Sequence, residues 1–172
     1  RTDYDLSQHQ KFSGKDMTYL DQESGERYIP YVVETSAGLT RNVLMALSDG
    51  YEEQQLPDGD VRTVLHFHPA IAPVTVAVLP LVKKDGLGEF AEKLEHDLRE
   101  DFTTFFDLSG AIGRRYRRMD EIGTPYCVTV DYQTLQDNTV TLRLRDSMEQ
   151  LRVSIDALPS EIRKQTKQYK RV

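Results

Sequence analysis

Three side chains of complementary chemistry lie close together in the stretch YIPYVVETSAGLTR, which runs from Tyr28 to Arg41. Glu34 and Ser36 are two positions apart, so in an extended segment both side chains lie on the same side. A carboxylate and a hydroxyl placed in this way can together accept hydrogen bonds from an ammonium group. Arg41, about one helical turn beyond Gly38, can reach a phosphate or stack on a flat base. The stretch is therefore a candidate site for an amine and a nucleotide.

The glycine turn in this stretch matches neither of the two common nucleotide-binding fingerprints. It is not followed by Lys and then Ser or Thr, as in phosphate-binding loops, and it has no Gly-x-Gly-x-x-Gly pattern. The alternative interpretation is an ordinary connection from a strand to a helix with an arginine on the surface. Both interpretations stay open on these residues alone.

A second group of candidate residues lies in GAIGRRYRRMDEIGTPY, from Gly110 to Tyr126. Its spacing predicts a helix with four arginines on the exposed side, a local cation suited to the phosphates of a polyanion. The alternative is a solvated helix face whose charges pair with Asp120, Glu121 and neighbouring acids. The four candidate nucleic-acid contacts are Arg114, Arg115, Arg117 and Arg118.

Other residue patterns give weaker indications. His66 and His68 in HFHP would point the same way on a strand, but no third ligand has convincing spacing, so no metal site is predicted. The single cysteine, Cys127, lies in an apolar run and is expected to be a small buried hydrophobe. The basic tail from Arg163 to Arg171 is expected to be a solvated helix end.

Composition limits the classes of function. The 172 residues are 38% hydrophobic and 29% charged, which is typical of a globular protein with a core. The net charge of −6 argues against a protein that coats nucleic acid by bulk electrostatics. The sequence shows no membrane span and no secretory signal, so a cytoplasmic protein without a membrane partner is expected. The polar, aperiodic start at Arg1 suggests a piece of a longer protein.

The first 72 residues are predicted to hold only a strand, a turn and a helix. Residues 1–27 read as a loop with at most a short strand, and residues 28–34 as a strand. Apolar residues at helical spacing predict a helix from Leu39 to about Tyr51. The polar segment EEQQLPDGDVR, residues 52–62, carries a Pro-Asp-Gly turn signal and is interpreted as the end of this unit.

Residues 73–172 are predicted to form a separate α/β domain. Apolar runs, helical spacing and strict alternation give the order β-α-β-α-β-β-β-α. Strands separated by helices pair in parallel, whereas strands joined by short turns pair antiparallel. The domain should therefore contain a five-stranded mixed sheet with three helices.

Four blocks of the sequence together resemble the C-terminal part of the homodimeric, class II glycyl-tRNA synthetases. The blocks are YIPYVVETSAGLTRNVLMAL, APVTVAVLPLVKKDG, GAIGRRYRRMDEIGTPYCVTVDY and QDNTVTLRLRDSMEQLRVSI, and they cover nearly the whole chain. The resemblance implies that residues 1–72 are a partial class II catalytic segment with the third class signature. It implies that residues 73–172 are a class IIa anticodon-binding domain.

The resemblance also implies an activity, ligands and site residues. The family activates glycine with ATP, with Mg²⁺ expected for the intact enzyme, and transfers it to tRNA(Gly) as a cytoplasmic homodimer. Glycine contacts are implied for Glu34, Thr35, Ser36, Ala37 and Gly38, and ATP contacts for Gly38, Leu39, Thr40 and Arg41. Thr35 stands where proline is frequent in the family, and Thr40 where aspartate is frequent.

The first two class II signatures, including the arginine that grips the α-phosphate, are not in this sequence. Because catalysis in this class depends on positioning and electrostatic stabilisation, the chain alone is expected to be inactive. A runner-up interpretation is a non-catalytic nucleic-acid-binding module, such as a synthetase-like polymerase accessory subunit. A stand-alone small-molecule binding protein is a third, supported only by the glycine turn.

Overall fold

A computed structural model describes residues 1–57 and 59–170 of the chain. By internal contacts it divides into two compact units, Arg1–Asn42 and Val43–Val172, which are described separately. The predicted domain boundary between residues 72 and 73 stays a prediction.

The first unit begins with a helix where the sequence predicted a loop. Helix α1, Tyr4–Ser13, ends at Gly14, whose φ of 69° is left-handed and whose N–H donates to the carbonyl of Gln10 at 3.0 Å. The loop prediction for residues 1–27 is therefore wrong over this helix. The helix buries none of its residues, so it lacks the apolar stripe on which the periodicity rule depends.

The predicted strand at residues 28–34 is also wrong over most of its length. Strands β1, Tyr19–Leu20, and β2, Arg27–Tyr28, form a short antiparallel pair, and residues 29–38 have no regular structure. The backbone N–H of Val32 donates to the carbonyl of Thr2 at 2.9 Å, and the amino group of Arg1 donates to the carbonyl of Val32 at 3.1 Å, but these residues are not part of a strand. An apolar run forms a β-strand only when a neighbouring strand accepts and donates its backbone hydrogen bonds.

Helix α2, Leu39–Gly50, forms as predicted from the apolar spacing. Its apolar side chains are nevertheless exposed, including Leu39 at 78%, Leu44 at 65% and Met45 at 63%. The helix therefore has an amphipathic sequence whose apolar side is uncovered within the part of the chain that the structure describes.

A β-hairpin replaces the polar segment predicted for residues 52–62. Strand β3, Tyr51–Gln55, pairs antiparallel with strand β4, Val61–Leu65, and neither strand was predicted from the sequence. Asp58, the centre of the predicted Pro-Asp-Gly turn, lies outside the described residues. Next to it Gly59 has a φ of 88° and donates its N–H to the carbonyl of Leu56 at 3.0 Å.

The five-stranded mixed sheet is confirmed, and its strand order is β6-β5-β7-β8-β9. The first three strands in sequence, β5, β6 and β7, pair in parallel, whereas β7 with β8 and β8 with β9 are antiparallel. Their bounds are Val76–Pro80 for β5, Thr104–Phe106 for β6, Tyr126–Val130 for β7, Thr139–Leu144 for β8 and Gln150–Ser154 for β9.

The three predicted helices of this domain are present, together with two short helical segments that were not predicted. None of the helices in the described ranges is long and apolar enough to cross a membrane. The predicted helices are α3, Leu87–Leu98, α4, Ile112–Glu121, and α6, Leu158–Gln168; the additions are α5, Thr134–Asp137, and a 3₁₀ turn, Ile155–Ala157.

Buried apolar side chains divide into two clusters, and alternate residues of the central strands point into different clusters. Val76 and Val78 of β5 join the larger cluster, which also contains residues of α3 and α6. Ala77 and Leu79 of the same strand join the smaller cluster with Met119 of α4. Side chains of a strand alternate between faces, so the sheet is covered by helices on both sides.

Candidate functional site

The candidate glycine and ATP residues lie in an exposed segment that leads into helix α2. Glu34 accepts a hydrogen bond from Arg1 Nη1 at 3.3 Å, and the carbonyl of Gly38 accepts the N–H of Asn42 at 3.0 Å. Within the described ranges, no hydrogen bond or ion pair joins Glu34, Ser36 and Arg41. Their roles stay predictions, as do those of Thr35, Ala37, Leu39 and Thr40, which are exposed as well.

Three of the four candidate arginines lie on the outer side of helix α4. Arg114 is exposed, and its side chain forms no hydrogen bond to any residue that the structure describes. Arg117 pairs with Asp60 at 2.9 Å, and both side chains are substantially exposed. Arg118 forms an ion pair with Asp107 and donates to the carbonyl of Ser109 at 2.5 Å. Arg114 and Arg117 are available to a phosphate at little energetic cost, because exposed ion pairs are weak, whereas Arg118 is held by the mostly buried Asp107.

Arg115 is buried, so the prediction that all four arginines are exposed is wrong for this residue. Its side chain lies one turn from the buried Met119, on the face of α4 that packs against the sheet. It donates to the carbonyls of Pro80, Leu81 and Asp107 at 2.6, 3.2 and 3.0 Å. Burial lowers the pKa of Arg115 from its ordinary value. Arg115 therefore binds backbone carbonyls at the ends of β5 and β6, and its side chain does not contact solvent.

A buried ion triad joins the hairpin to the sheet. Arg62 of β4 places Nε 2.8 Å from Asp120 Oδ2, while Arg143 of β8 contacts both oxygens of Asp120, at 2.8 and 3.0 Å. The three side chains are at most 6% exposed. Next to Arg143, burial raises the pKa of the Cys127 thiol to about 12, which makes it an unsuitable nucleophile or metal ligand.

Arg145, at the end of β8, bonds to segments that are far apart in the chain. Its Nη1 donates to the carbonyl of Gly123 at 2.8 Å and its Nη2 to the carbonyl of Phe67 at 2.9 Å. Its Nε lies 2.7 Å from Asp146 Oδ1, and Arg62 Nη2 donates to the Arg145 carbonyl at 2.5 Å. One guanidinium therefore fixes the α4–β7 turn and the segment after β4 against the sheet.

The two histidines of HFHP make separate polar contacts. His66 is buried, with Nδ1 2.7 Å from Asp146 Oδ1. Its Nε2 is also 2.7 Å from Glu52 Oε2, but the direction of this contact is outside hydrogen-bond geometry. His68 accepts the N–H of Ala70 at 3.1 Å. Within residues 1–57 and 59–170, no group of three or more His, Cys, Asp or Glu side chains is suited to a metal ion.

A cavity of about 220 Å³ opens between the end of β8 and helix α6. It is smaller than the roughly 300–1,000 Å³ of drug-sized ligand sites, so it suits one flat ring rather than a whole cofactor. Its wall combines aromatic rings, amides, a buried guanidinium and a lysine; the lining residues are Pro125, Tyr126, Leu144, Arg145, Asp146, Ser147, Gln165, Gln168, Tyr169 and Lys170.

The cavity was not predicted from the sequence. Arg143 and Arg145 alternate on one side of the predicted strand 139–145, and two arginines on a strand flanked by apolar residues were the available signal. Their burial depends on acceptors in distant segments, which the sequence of the strand does not contain. The cavity's aromatic wall likewise comes from β7 and from Tyr169, after α6.

The sequence of this domain matches a known protein family. Residues 75–165 match the family model described as "Anticodon binding domain", which covers more than half of the chain. The chain therefore belongs to the anticodon-binding-domain family, as the resemblance implied.

Curated relatives of the chain include glycine–tRNA ligases. The chain is 61% identical over 176 residues to a glycine–tRNA ligase of Treponema denticola, matching 99% of this chain and 39% of that protein. It is 58% identical over 174 residues to a glycine–tRNA ligase of Borrelia hermsii, matching 100% of this chain and 39% of that protein. The chain thus spans well under half the length of these relatives.

A solved structure supports the fold. A prolyl-tRNA synthetase from Cryptosporidium parvum, crystallised with L-proline and AMP, superposes with a TM-score of 0.55 at 23% identity. The superposition covers 62% of this chain and 23% of the synthetase.

Proposed function

We propose that the chain is the C-terminal part of a glycine–tRNA ligase and that residues 73–172 bind the anticodon region of tRNA(Gly). The observation that carries the proposal is the cavity beside Arg145, in a domain of the anticodon-binding family. Such domains read single-stranded loops, whose bases can be splayed out and bound one at a time.

The chemistry of the cavity suits one unpaired base. The half-buried Tyr169 offers aromatic surface against which a base can stack, and Gln165 and Gln168 offer both hydrogen-bond donors and acceptors. Lys170 at the rim can contact the adjoining phosphate. Arg114, Arg117 and Arg118 on α4 are proposed as further phosphate contacts, which orient the RNA without reading its sequence.

Residues 34–41 are proposed to supply part of the glycine and ATP site of the ligase. Glu34 and Ser36 would accept hydrogen bonds from the glycine ammonium group, and Arg41 would contact the nucleotide. The remaining groups would come from the part of the ligase that this chain does not span. The uncovered apolar side of α2 supports this, since a helix of that kind normally packs against other elements.

The proposal carries further expectations for the whole ligase. It would act in the cytoplasm as a homodimer, with ATP as a substrate. The residues described here do not fit a Mg²⁺ site, because the stretch 34–41 has a single carboxylate, Glu34, already bonded to Arg1. No step is therefore assigned to that ion.

The alternative, a non-catalytic nucleic-acid-binding module, would use the same cavity. The presence of Glu34, Ser36 and Arg41 favours the ligase, because a pure binding module has no use for an ammonium site. The two also differ in selectivity, since the ligase should distinguish tRNA(Gly) from other nucleic acids.

Selectivity can be measured with fluorescently labelled RNAs and the 172-residue chain. We expect tRNA(Gly) to bind at least about tenfold tighter than a tRNA with another anticodon or duplex DNA, a difference of about 1.4 kcal/mol. Equal affinities would overturn the proposal.

The contribution of α4 can be tested separately by charge reversal. Arg114→Glu with Arg117→Glu should flatten the dependence of affinity on salt, because fewer counterions are released from the RNA. Lys93→Glu, at an exposed position of α3, is the matched control and should leave the slope nearly unchanged. An unchanged slope in the double variant would remove α4 from the interface.

A further inference from the structure

We infer that His66 is a positioning residue for the cavity: it holds Asp146, and through Asp146 the guanidinium of Arg145. The use of the cavity by RNA rests on the proposed function, whereas the hold on Asp146 does not. His66 itself is not among the described residues that line the cavity.

The contact between His66 and Asp146 is short and shielded from solvent. Nδ1 of His66 lies 2.7 Å from Asp146 Oδ1, and the two side chains are 5% and 11% exposed. An ionised carboxylate can only accept, so Nδ1 must carry the proton and donate it. Asp146 is ionised at neutral pH, because the hydrogen bonds and charge of Arg145 outweigh the effect of burial, which alone would raise its pKa.

Asp146 in turn determines the orientation of Arg145. Both oxygens of the carboxylate accept from the guanidinium, Oδ1 from Nε at 2.7 Å and Oδ2 from Nη2 at 2.9 Å. This two-point contact fixes the plane of the guanidinium as well as its position. The imidazole is a third donor to the same carboxylate, and it keeps the carboxylate from rotating out of that plane.

The segment that carries His66 also contacts Arg145 directly. The carbonyl of Phe67, the next residue, accepts from Arg145 Nη2 at 2.9 Å. The residues after β4 therefore bind the Arg145–Asp146 pair through two hydrogen bonds, one from the His66 side chain and one to the Phe67 backbone carbonyl. Since both members of the pair line the cavity, the shape and polarity of its floor depend on a residue outside it.

Two substitutions of similar size separate the hydrogen bond from packing. His66→Asn places an amide N–H near the position of Nδ1, so it can still donate to Asp146. His66→Gln places its amide near the position of Nε2, so the donor to Asp146 is lost while a polar side chain is kept. His96→Gln, on the exposed side of α3, is the matched control.

The first measurement needs no RNA. The rate at which the Arg145 Nε–H exchanges with solvent is followed by nuclear magnetic resonance, since this proton is held by Asp146. We expect exchange to be at least about tenfold faster in His66→Gln, a difference of about 1.4 kcal/mol, because a charge-assisted hydrogen bond to Asp146 is lost. It should stay within about threefold of the original rate in His66→Asn and His96→Gln, a difference of less than 1 kcal/mol.

The second measurement is the affinity for tRNA(Gly), which should fall about tenfold in His66→Gln and recover in His66→Asn. Unchanged exchange in His66→Gln, or equal effects of Asn and Gln, would overturn the inference, because the donor at Nδ1 would then be irrelevant. If the original chain fails to prefer tRNA(Gly), the proposed function is wrong, and the exchange rates still decide the role of His66.

Discussion

Buried charged residues connect the hairpin to the sheet through ion pairs and hydrogen bonds. Arg62, Asp120 and Arg143 are almost fully buried, and taking such groups out of water is expensive. The attraction between the opposite charges offsets this desolvation free energy only when hydrogen bonds satisfy the remaining donors. Arg62 meets this condition, because its other nitrogens donate to Gln54 Oε1 at 2.7 Å and to the Arg145 carbonyl at 2.5 Å.

Removal of the negative charge from this triad should be strongly destabilising. Asp120→Asn leaves two buried guanidinium groups without a counter-charge, and we expect a loss of roughly 3–5 kcal/mol in the free energy of unfolding. Asp97→Asn, at an exposed position of α3, should change it by less than about 0.5 kcal/mol. Urea denaturation measures both.

A companion variant tests whether charge is the cause. Adding Arg62→Met to Asp120→Asn removes one of the uncompensated cations, so part of the lost stability should return. Strictly additive losses in the double variant would show that the two residues act independently.

Asp146 predicts a particular dependence of stability on pH. Burial would raise its pKa, but hydrogen bonds and charge from Arg145, with a further contribution from His66, hold it below the ordinary value of 3.8. In the unfolded chain the same carboxyl takes up its proton at higher pH. The stabilisation is therefore complete above about pH 5 and is lost as the pH falls through the unfolded and then the folded pKa.

The corresponding variant is Asp146→Asn. It should be less stable than the original chain at pH 7, and its stability should decline less steeply between about pH 5 and pH 3. Thermal unfolding across this range is the measurement, with Asp97→Asn as the control. A parallel decline in the original chain and in Asp146→Asn would contradict the assignment.

The backbone of the turn between α4 and β7 lies very close to the end of the hairpin. Gly123 has a φ of 79°, a left-handed conformation that other residues adopt only with strain. A Cβ added there would lie 2.5 Å from Phe67 Cδ2 and 2.9 Å from the carbonyl oxygen of Leu65. The turn thus needs glycine for both conformation and space.

Gly110 makes it possible to separate these two requirements. It has a φ of 81°, but nothing lies within 4 Å of an added Cβ. Gly110→Ala should cost only the strain of the left-handed conformation, about 1–2 kcal/mol, whereas Gly123→Ala should cost about 1–3 kcal/mol more. Equal losses of unfolding free energy in the two variants would show that the turn can move away from Phe67.

The secondary structure of residues 73–172 could be predicted because the information is local. Val140, Leu142 and the polar residues between them alternate within one strand, and the pairing direction follows from whether a helix or a turn intervenes. The strand prediction for residues 28–34 was wrong for the opposite reason. An apolar run indicates only that a strand could form, whereas the neighbouring strand with which it must pair lies elsewhere in the sequence. Helix α1 lacked the buried stripe that would have revealed it.

The candidate site was less predictable than the fold. Arg115 has the same side chain as Arg114 and Arg117, and only the carbonyls of Pro80, Leu81 and Asp107 make its burial possible. Those carbonyls lie between 8 and 35 positions away along the chain. Sequence patterns identify which residues carry charge, but they do not identify the acceptors that bring that charge into the interior.

At the scale of the whole molecule, the proposed ligase activity requires more than this chain. Residues 34–41 are exposed, and the chain matches only 39% of each of the two glycine–tRNA ligases described above. Adenylate formation depends on groups held around both glycine and ATP. A chain that supplies only some of these groups should therefore form glycyl-adenylate at no measurable rate.

Glycine-dependent exchange of labelled pyrophosphate into ATP tests this expectation. The 172-residue chain should show no exchange above a sample without protein, while the full-length Treponema denticola ligase, assayed in parallel, should be active. Exchange by the isolated chain would mean that the site is more complete than we propose.

The bonds made by Arg62 and His66 also determine how small a portable RNA-binding module can be. A chain shortened to start at residue 73 would contain Asp120 and Asp146 without the donors that Arg62 and His66 supply. A chain that starts at residue 50 would keep them, and we expect it to melt at a higher temperature. Anyone who transplants this domain into another protein should move the hairpin with it.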